Sequence, residues 1–291
     1  MEAVVWKIKI FHMADLRCRP NSRVASEWRI IMKQLIVIWD TLRLQMKNSF
    51  IRPMYRFCLI AGPIVQTILL YEMYKNSGQD NFTTYVMLGG GLMGLWSCIC
   101  FSSAGDINRE RYMGTLSLIF VAPAKFSTII LGKVLGNTIL SLGTLIISFL
   151  TAKIVYHAPI MVVSPGFLLL SILAAVICFI TISICLAYLL TLSRKTQLYM
   201  NCIEIPIILL CGFVFPVEIL PEWVLPISYA LSPTWAVKLI RLSVSGVENR
   251  MEYFAVLGIL GCITMVYIVL TIFLYKTIEK QVRIKATLEV S

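Results

Sequence analysis

The chain has 291 residues, 58% of them hydrophobic and only 14% charged, with a formal net charge of +11 and a mean hydropathy of +0.83. Soluble domains carry about 25% charged residues, so a water-soluble core of this size is excluded and an all-α polytopic membrane protein is the expected fold class. Nucleic acid is not the partner this basic balance calls for, because the charge falls mostly on one side of the predicted membrane, where anionic lipid headgroups supply the counter-charge.

Residues 1–24 form a charged N-terminal cytoplasmic segment without the apolar core of a signal peptide. Residues 25–52 form an amphipathic interface helix. Trp28, Ile31, Leu35, Ile38, Leu42 and Met46 recur at spacings of three and four, with Arg29, Lys33, Asp40, Arg43 and Lys47 on the other side. Such a helix lies in the headgroup plane with its basic face toward anionic lipid; the alternative is a solvent-exposed helix on a soluble partner. Pro53 ends it and turns the chain upward.

Six transmembrane helices are expected within residues 53–278: Phe57–Tyr74, Thr84–Ala104, Ile129–Ile154, Phe167–Leu192, Met200–Val217 and Tyr253–Tyr275. Each approaches the ~20 apolar residues that cross a bilayer at 1.5 Å per residue. Lys and Arg set the orientation. Eleven precede span one, up to Arg56, and Arg109, Arg111, Lys125, Arg194, Lys195, Lys276, Lys280, Arg283 and Lys285 share their side. The other side holds only Lys75, Lys238, Arg241 and Arg250. Both termini, including a tail at 279–291, are therefore expected in the cytoplasm.

Between spans two and three lies a charged island, 106–123, reading INRERYMGTLSLIFVAP from Ile107 to Pro123. It is the length of a short cytoplasmic helix, suited to being pushed by another protein. Asp106 or Asn108 would cap its start, and Gly114 would allow close backbone approach. Leu116, Leu118, Ile119 and Phe120 would offer an apolar surface ringed by Arg109, Glu110 and Arg111. The plainer alternative is a membrane-surface helix with no partner.

Residues 216–243, between spans five and six, are too apolar for a plain loop and too interrupted by Pro216, Pro221, Pro226 and Pro233 for a span. One or two short re-entrant helices in the outer leaflet are expected, with Trp223, Tyr229 and Trp235 at the interface. Small residues at Gly89, Gly90, Gly91 and Gly94 in span two, and at Gly132 and Gly136 in span three, allow helices to approach closely, within one chain or between two. Eight of nine cysteines fall in the spans and read as reduced packing residues; no metal-ligand spacing is present.

No GxxxxGK[ST] loop, HExxH, GxSxG, TVGYG filter or voltage-sensor arginine pattern occurs, and His12 and His157 stand isolated. Glu204, between Asn201 and Pro206, is an acid within a predicted span, as is Glu72 near the end of span one. An intramembrane carboxylate marks either a functional contact, to substrate or proton, or a structural pair, here with Lys133. Phe213 and Phe215 would form an apolar gate, pack internally, or face lipid.

Taken in order, the amphipathic helix, the six spans, Glu110-Arg111-Tyr112-Met113-Gly114-Thr115-Leu116 with Pro123, and Phe215-Pro216 through Leu220-Pro221-Glu222-Trp223 with Ser232-Pro233 resemble the ATP-binding-cassette type-2 permeases over residues 25–278. Many members carry an acid directly after Gly-Thr-Leu, where this chain has Ser117.

The resemblance implies the membrane subunit of an ATP-driven exporter in the plasma membrane. It would need no cofactor of its own, with ATP and Mg held by a partner, and no bond chemistry in this chain. It implies two copies of a cytosolic ATPase and a second permease, identical or sister. Asp106, Arg109, Glu110, Arg111, Gly114, Thr115 and Leu116 would couple to the ATPase through a coupling helix at 106–123. Spans two and five would supply the dimer interface and the pathway, and an apolar cavity lining points to an amphipathic cargo such as a drug-like compound, peptide or lipid. The competing readings are an ion-coupled secondary transporter that uses Glu204, and a non-transporting scaffold or sensor.

Overall fold

The computed structural model describes residues 23–75, 82–115, 119, 124–157, 164–191, 196–246 and 249–285. Among them the fold is helical throughout, without a strand: α1 Arg23–Ile51, α2 Pro53–Tyr74, α3 Phe82–Tyr112, α4 Phe126–Ser141, α5 Gly143–Tyr156, α6 Pro165–Thr191, α7 Thr196–Leu210, α8 Leu225–Ala230, α9 Ser232–Ser245 and α10 Arg250–Lys285, with a 3₁₀ turn at Val217–Ile219. Four stretches are long and apolar enough to cross a membrane: Pro53–Tyr74, Phe126–Tyr156, Pro165–Leu189 and Arg250–Thr277. In α3 the described side chains include an apolar stretch at Leu88–Cys100.

Exposed Phe, Leu, Ile and Met side chains run along the outer faces, as at Phe254, Met265, Val269 and Phe273 of α10. A soluble monomer does not carry so much contiguous apolar surface, whereas lipid solvates it. Inside, Trp96 of α3, Phe179 of α6 and Phe213 after α7 form one aromatic cluster, with ring centroids 5.9–6.4 Å apart. Leu92, Leu239, Ile240 and Tyr253 enclose it.

Three expected boundaries move. The third span is interrupted at Leu142, between α4 and α5. There the Thr144 hydroxyl donates to the Ser141 carbonyl at 2.7 Å, and the Leu145 amide bonds Leu142, three residues back, tightening the turn. The fifth span ends as a helix at Leu210, not Val217, because Gly212 takes a left-handed φ of 72° and Pro216 has no N–H with which to continue a helix. No separate helix begins at 106: α3 runs unbroken from Phe82 to Tyr112. Asp106 and Asn108 therefore lie inside a helix and do not cap one.

The first helix is also oriented by something other than its apolar stripe. Among its described side chains Thr41, Gln45 and Ser49 are buried, while Met32, Leu35, Ile36 and Trp39 are exposed. Gly132 and Gly136 of α4 decide this. A Cβ on them would stand 2.9 Å from the Ile38 carbonyl oxygen and 2.8 Å from that of Leu42, so the α1 backbone lies directly on α4 at this small-xxx-small pair.

Candidate functional site

The densest polar cluster in the described structure lies where α1, α2, α3 and α4 meet, and Asp106 is its centre. Only 5% of Asp106 is exposed. Its Oδ1 is 2.7 Å from Nη2 of Arg52. Its Oδ2 accepts from Gln45 Nε2 at 2.5 Å and Asn137 Nδ2 at 2.8 Å. Ser49 Oγ donates to Asn137 Oδ1 at 2.7 Å, and Gln45 Nε2 also reaches Ser49 Oγ at 3.0 Å.

Each partner arrives for a local reason. Gln45 and Ser49 are four apart and share one face of α1. Arg52 is the single residue between α1 and α2, held extended (φ −72°, ψ 120°) because Pro53 follows it. Asn137 follows Gly136, the residue that lets α1 close onto α4. A buried carboxylate is costly unless paired and hydrogen-bonded; this one is both, with α1, α4 and the Arg52 link contributing.

One turn further along α3, Lys133 Nζ of α4 stands 2.7 Å from Glu110 Oε1, both side chains largely shielded. Thr115 Oγ1 donates to the carboxylate and the carbonyl of Glu110, across the turn at Gly114. That glycine has φ 64°, and a Cβ there would meet nothing within 4 Å. The left-handed conformation by itself favours glycine at 114. Beside it Tyr112 is 94% and Met113 57% exposed, two large apolar side chains turned outward at the end of a helix anchored twice. The arrangement ties the end of α3 to α1 and α4.

Of the expected coupling residues, Asp106, Glu110, Gly114 and Thr115 meet here. Arg109 is exposed, the side chain of Arg111 is not among those described, and Leu116, Leu118 and Phe120 lie outside the described residues. Ile119 packs toward the chain's own Phe126–Tyr188 cluster and not onto an outward surface. Lys133 pairs with Glu110 and not with Glu204, which is half-buried on α7 without an ion pair among the described residues. Asn201 is in α7, its side chain not described.

Phe213 is fully buried in the aromatic cluster, which makes it a packing residue; Phe215 is half-buried. Gly89, Gly90, Gly91 and Gly94 all face the chain's own residues, their Cβ positions within 3.1 Å of Phe213, Thr67, Leu145 and Pro63 respectively, and so serve internal packing. Pro233 is buried in the first turn of α9, Pro216 precedes the 3₁₀ turn, and Pro221 and Trp223 are exposed. The sequence reading missed Gln45, Ser49, Arg52 and Asn137; Asn137, the one amide in the third predicted span, was the available signal.

Residues 34–244, from within α1 nearly to the end of α9, match the family described as ABC-2 type transporter. No curated protein matches the chain.

Proposed function

Because the chain belongs to the ABC-2 type transporter family, we propose that it is the permease subunit of an exporter, moved by ATP hydrolysis on a partner. Members of this family are multi-pass membrane subunits, normally non-catalytic, that normally work with an ABC ATPase. In this reading six helices cross the plasma membrane, both termini are cytoplasmic, and two ATPase copies and a second permease, identical or sister, complete the assembly. The observation that carries it is the double anchorage of the end of α3 beside the exposed Tyr112 and Met113. A segment seated on an ATPase needs outward side chains for grip and a stiff connection to the spans, and Asp106–Arg52 and Glu110–Lys133 supply the connection.

ATP-driven closure of the ATPase pair would push residues 112–115, and α1, α3 and α4 would follow as a unit. The cavity would then alternate between inward and outward access. An amphipathic cargo, such as a drug-like compound, peptide or lipid, suits its apolar lining. The test is a photo-crosslinker at Tyr112 in intact cells. Capture of a Walker-motif ATPase supports the reading. Labelling of Met113→Cys by an impermeant reagent from outside, or transport that survives ATP depletion with ion gradients intact, sinks it and favours the Glu204 ion-coupled alternative.

A further inference from the structure

We propose that a cavity between the 3₁₀ turn, α8 and α9 binds the phosphate group of an anionic amphiphile. The cavity measures about 180 Å³, and Lys238, Arg241, Trp235, Tyr229, Val217 and Glu218 are among its walls. Lys238 and Arg241 are three apart on α9 and so share one face. Arg241 is fixed by donating Nη2–H to the Phe213 carbonyl at 3.1 Å. Lys238 Nζ stands 5.8 Å from the centroid of the Trp235 ring, whose Nε1 donates to the Tyr229 carbonyl at 2.8 Å. Two half-buried cations in a largely apolar concavity attract an anion more strongly than they would in open water. No carboxylate among the described residues lies at ion-pair distance from Lys238.

Size narrows the ligand. Drug-sized ligands occupy about 300–1,000 Å³, so a whole one does not fit, whereas water takes roughly 30 Å³ per molecule and a phosphodiester with its first few atoms fits. The tail must lie outside, against the exposed apolar side chains of Ile219, Trp223 and Ile227. Glu218 is the one acid in the wall, exposed at the rim, and disfavours a second negative charge. Position agrees with a lipid ligand. A Cβ at Gly89 would touch the same Phe213 carbonyl that Arg241 holds, and Asp106 is seventeen residues further along α3. At 1.5 Å per residue the cavity and the Asp106 cluster are about 26 Å apart, close to the ~30 Å thickness of a hydrocarbon core. The cavity thus opens at the headgroup level opposite the Asp106 end.

The test uses the full chain in detergent, titrated with phosphatidylglycerol, phosphatidylcholine or inorganic phosphate, with bound adducts counted by native mass spectrometry. Phosphatidylglycerol is expected to bind wild type and Lys238→Arg alike, and Lys238→Gln roughly tenfold more weakly. Glu218→Gln should bind it two- to threefold more tightly. Thermal unfolding of each variant, run in parallel, separates lost binding from lost fold; Arg241→Lys, which keeps the charge and alters only its hold on Phe213, should also retain binding. Competition by inorganic phosphate would assign the site to the free anion, and its failure to compete would assign it to the lipid headgroup. Equal binding of phosphatidylglycerol and phosphatidylcholine to wild type, or of phosphatidylglycerol to wild type and a folded Lys238→Gln, overturns the proposal. No step of it requires that the chain transport anything.

Discussion

Replacing Arg52 by Gln removes the cation 2.7 Å from Asp106 and leaves the carboxylate buried with two amide donors. Opposite unit charges about 4 Å apart attract by roughly 4 kcal/mol at an effective dielectric of 20, and the remaining donors recover part of that, so the expected cost is about 2–3 kcal/mol. Asp106→Asn strands Arg52 instead. Its side chain is 25% exposed against 6% for Asp106, so the guanidinium can turn toward water on its long stem, and the expected cost is smaller, about 1–2 kcal/mol. The double variant strands neither charge and should fall short of the summed costs by about 1–2 kcal/mol. The assay is equilibrium unfolding in mixed micelles, titrated with dodecyl sulfate and followed by helical circular dichroism. Costs that add within about 0.5 kcal/mol would refute the reasoning, because the two side chains would then hold α3 independently, or not at all.

Three further outcomes follow from the same geometry. Gly114→Ala places a side chain in a left-handed conformation and should cost about 1–2 kcal/mol, with loss of cargo-stimulated ATP hydrolysis by the assembled complex, while Gly114→Asn should retain more of it because Asn tolerates that region; equal hydrolysis by complexes holding Ala or glycine at 114 counts against the turn. Gly136→Leu forces atoms into the Leu42 carbonyl, already 2.8 Å from a Cβ; hydrogen exchange over residues 38–49 should accelerate at least about tenfold, and unchanged protection would show that α1 is held otherwise. Phe213→Ala should destabilise by about 3–5 kcal/mol as a core truncation, and Phe215→Ala by less; a stable Phe213→Ala that leaks substrate would restore the gate reading.

The hydrophobic runs were legible because lipid imposes a length and an apolarity on any crossing helix. The charged island beginning at 106 was legible, yet its first turns belong to α3 and not to a separate helix. Asp106 looked like a cap because charge usually follows the end of a span, and nothing in the local sequence says that Arg52, fifty-four positions earlier, will neutralise it. Gly114 was read for close approach, and the structure adds a left-handed φ that composition does not reveal. The four small residues of α3 were correctly marked as sites of close approach, but their partners, α2, α5 and the turn after α7, were not readable.

Sequence by itself determined that this chain lives in a membrane, that its charge is lopsided, and that the Gly-Thr and Phe-Pro segments punctuate it in a fixed order. These follow from transfer energies and backbone chemistry, which act residue by residue. Only the tertiary structure decided that α1 presents Thr41, Gln45 and Ser49 inward and Met32, Leu35, Ile36 and Trp39 outward, that Asp106 sits mid-helix with two amide donors and a guanidinium at ion-pair distance, and that Phe213 packs at the core. Those outcomes depend on which polar groups find partners across dozens of intervening residues, and such pairing is a property of the folded arrangement, invisible to any window along the chain.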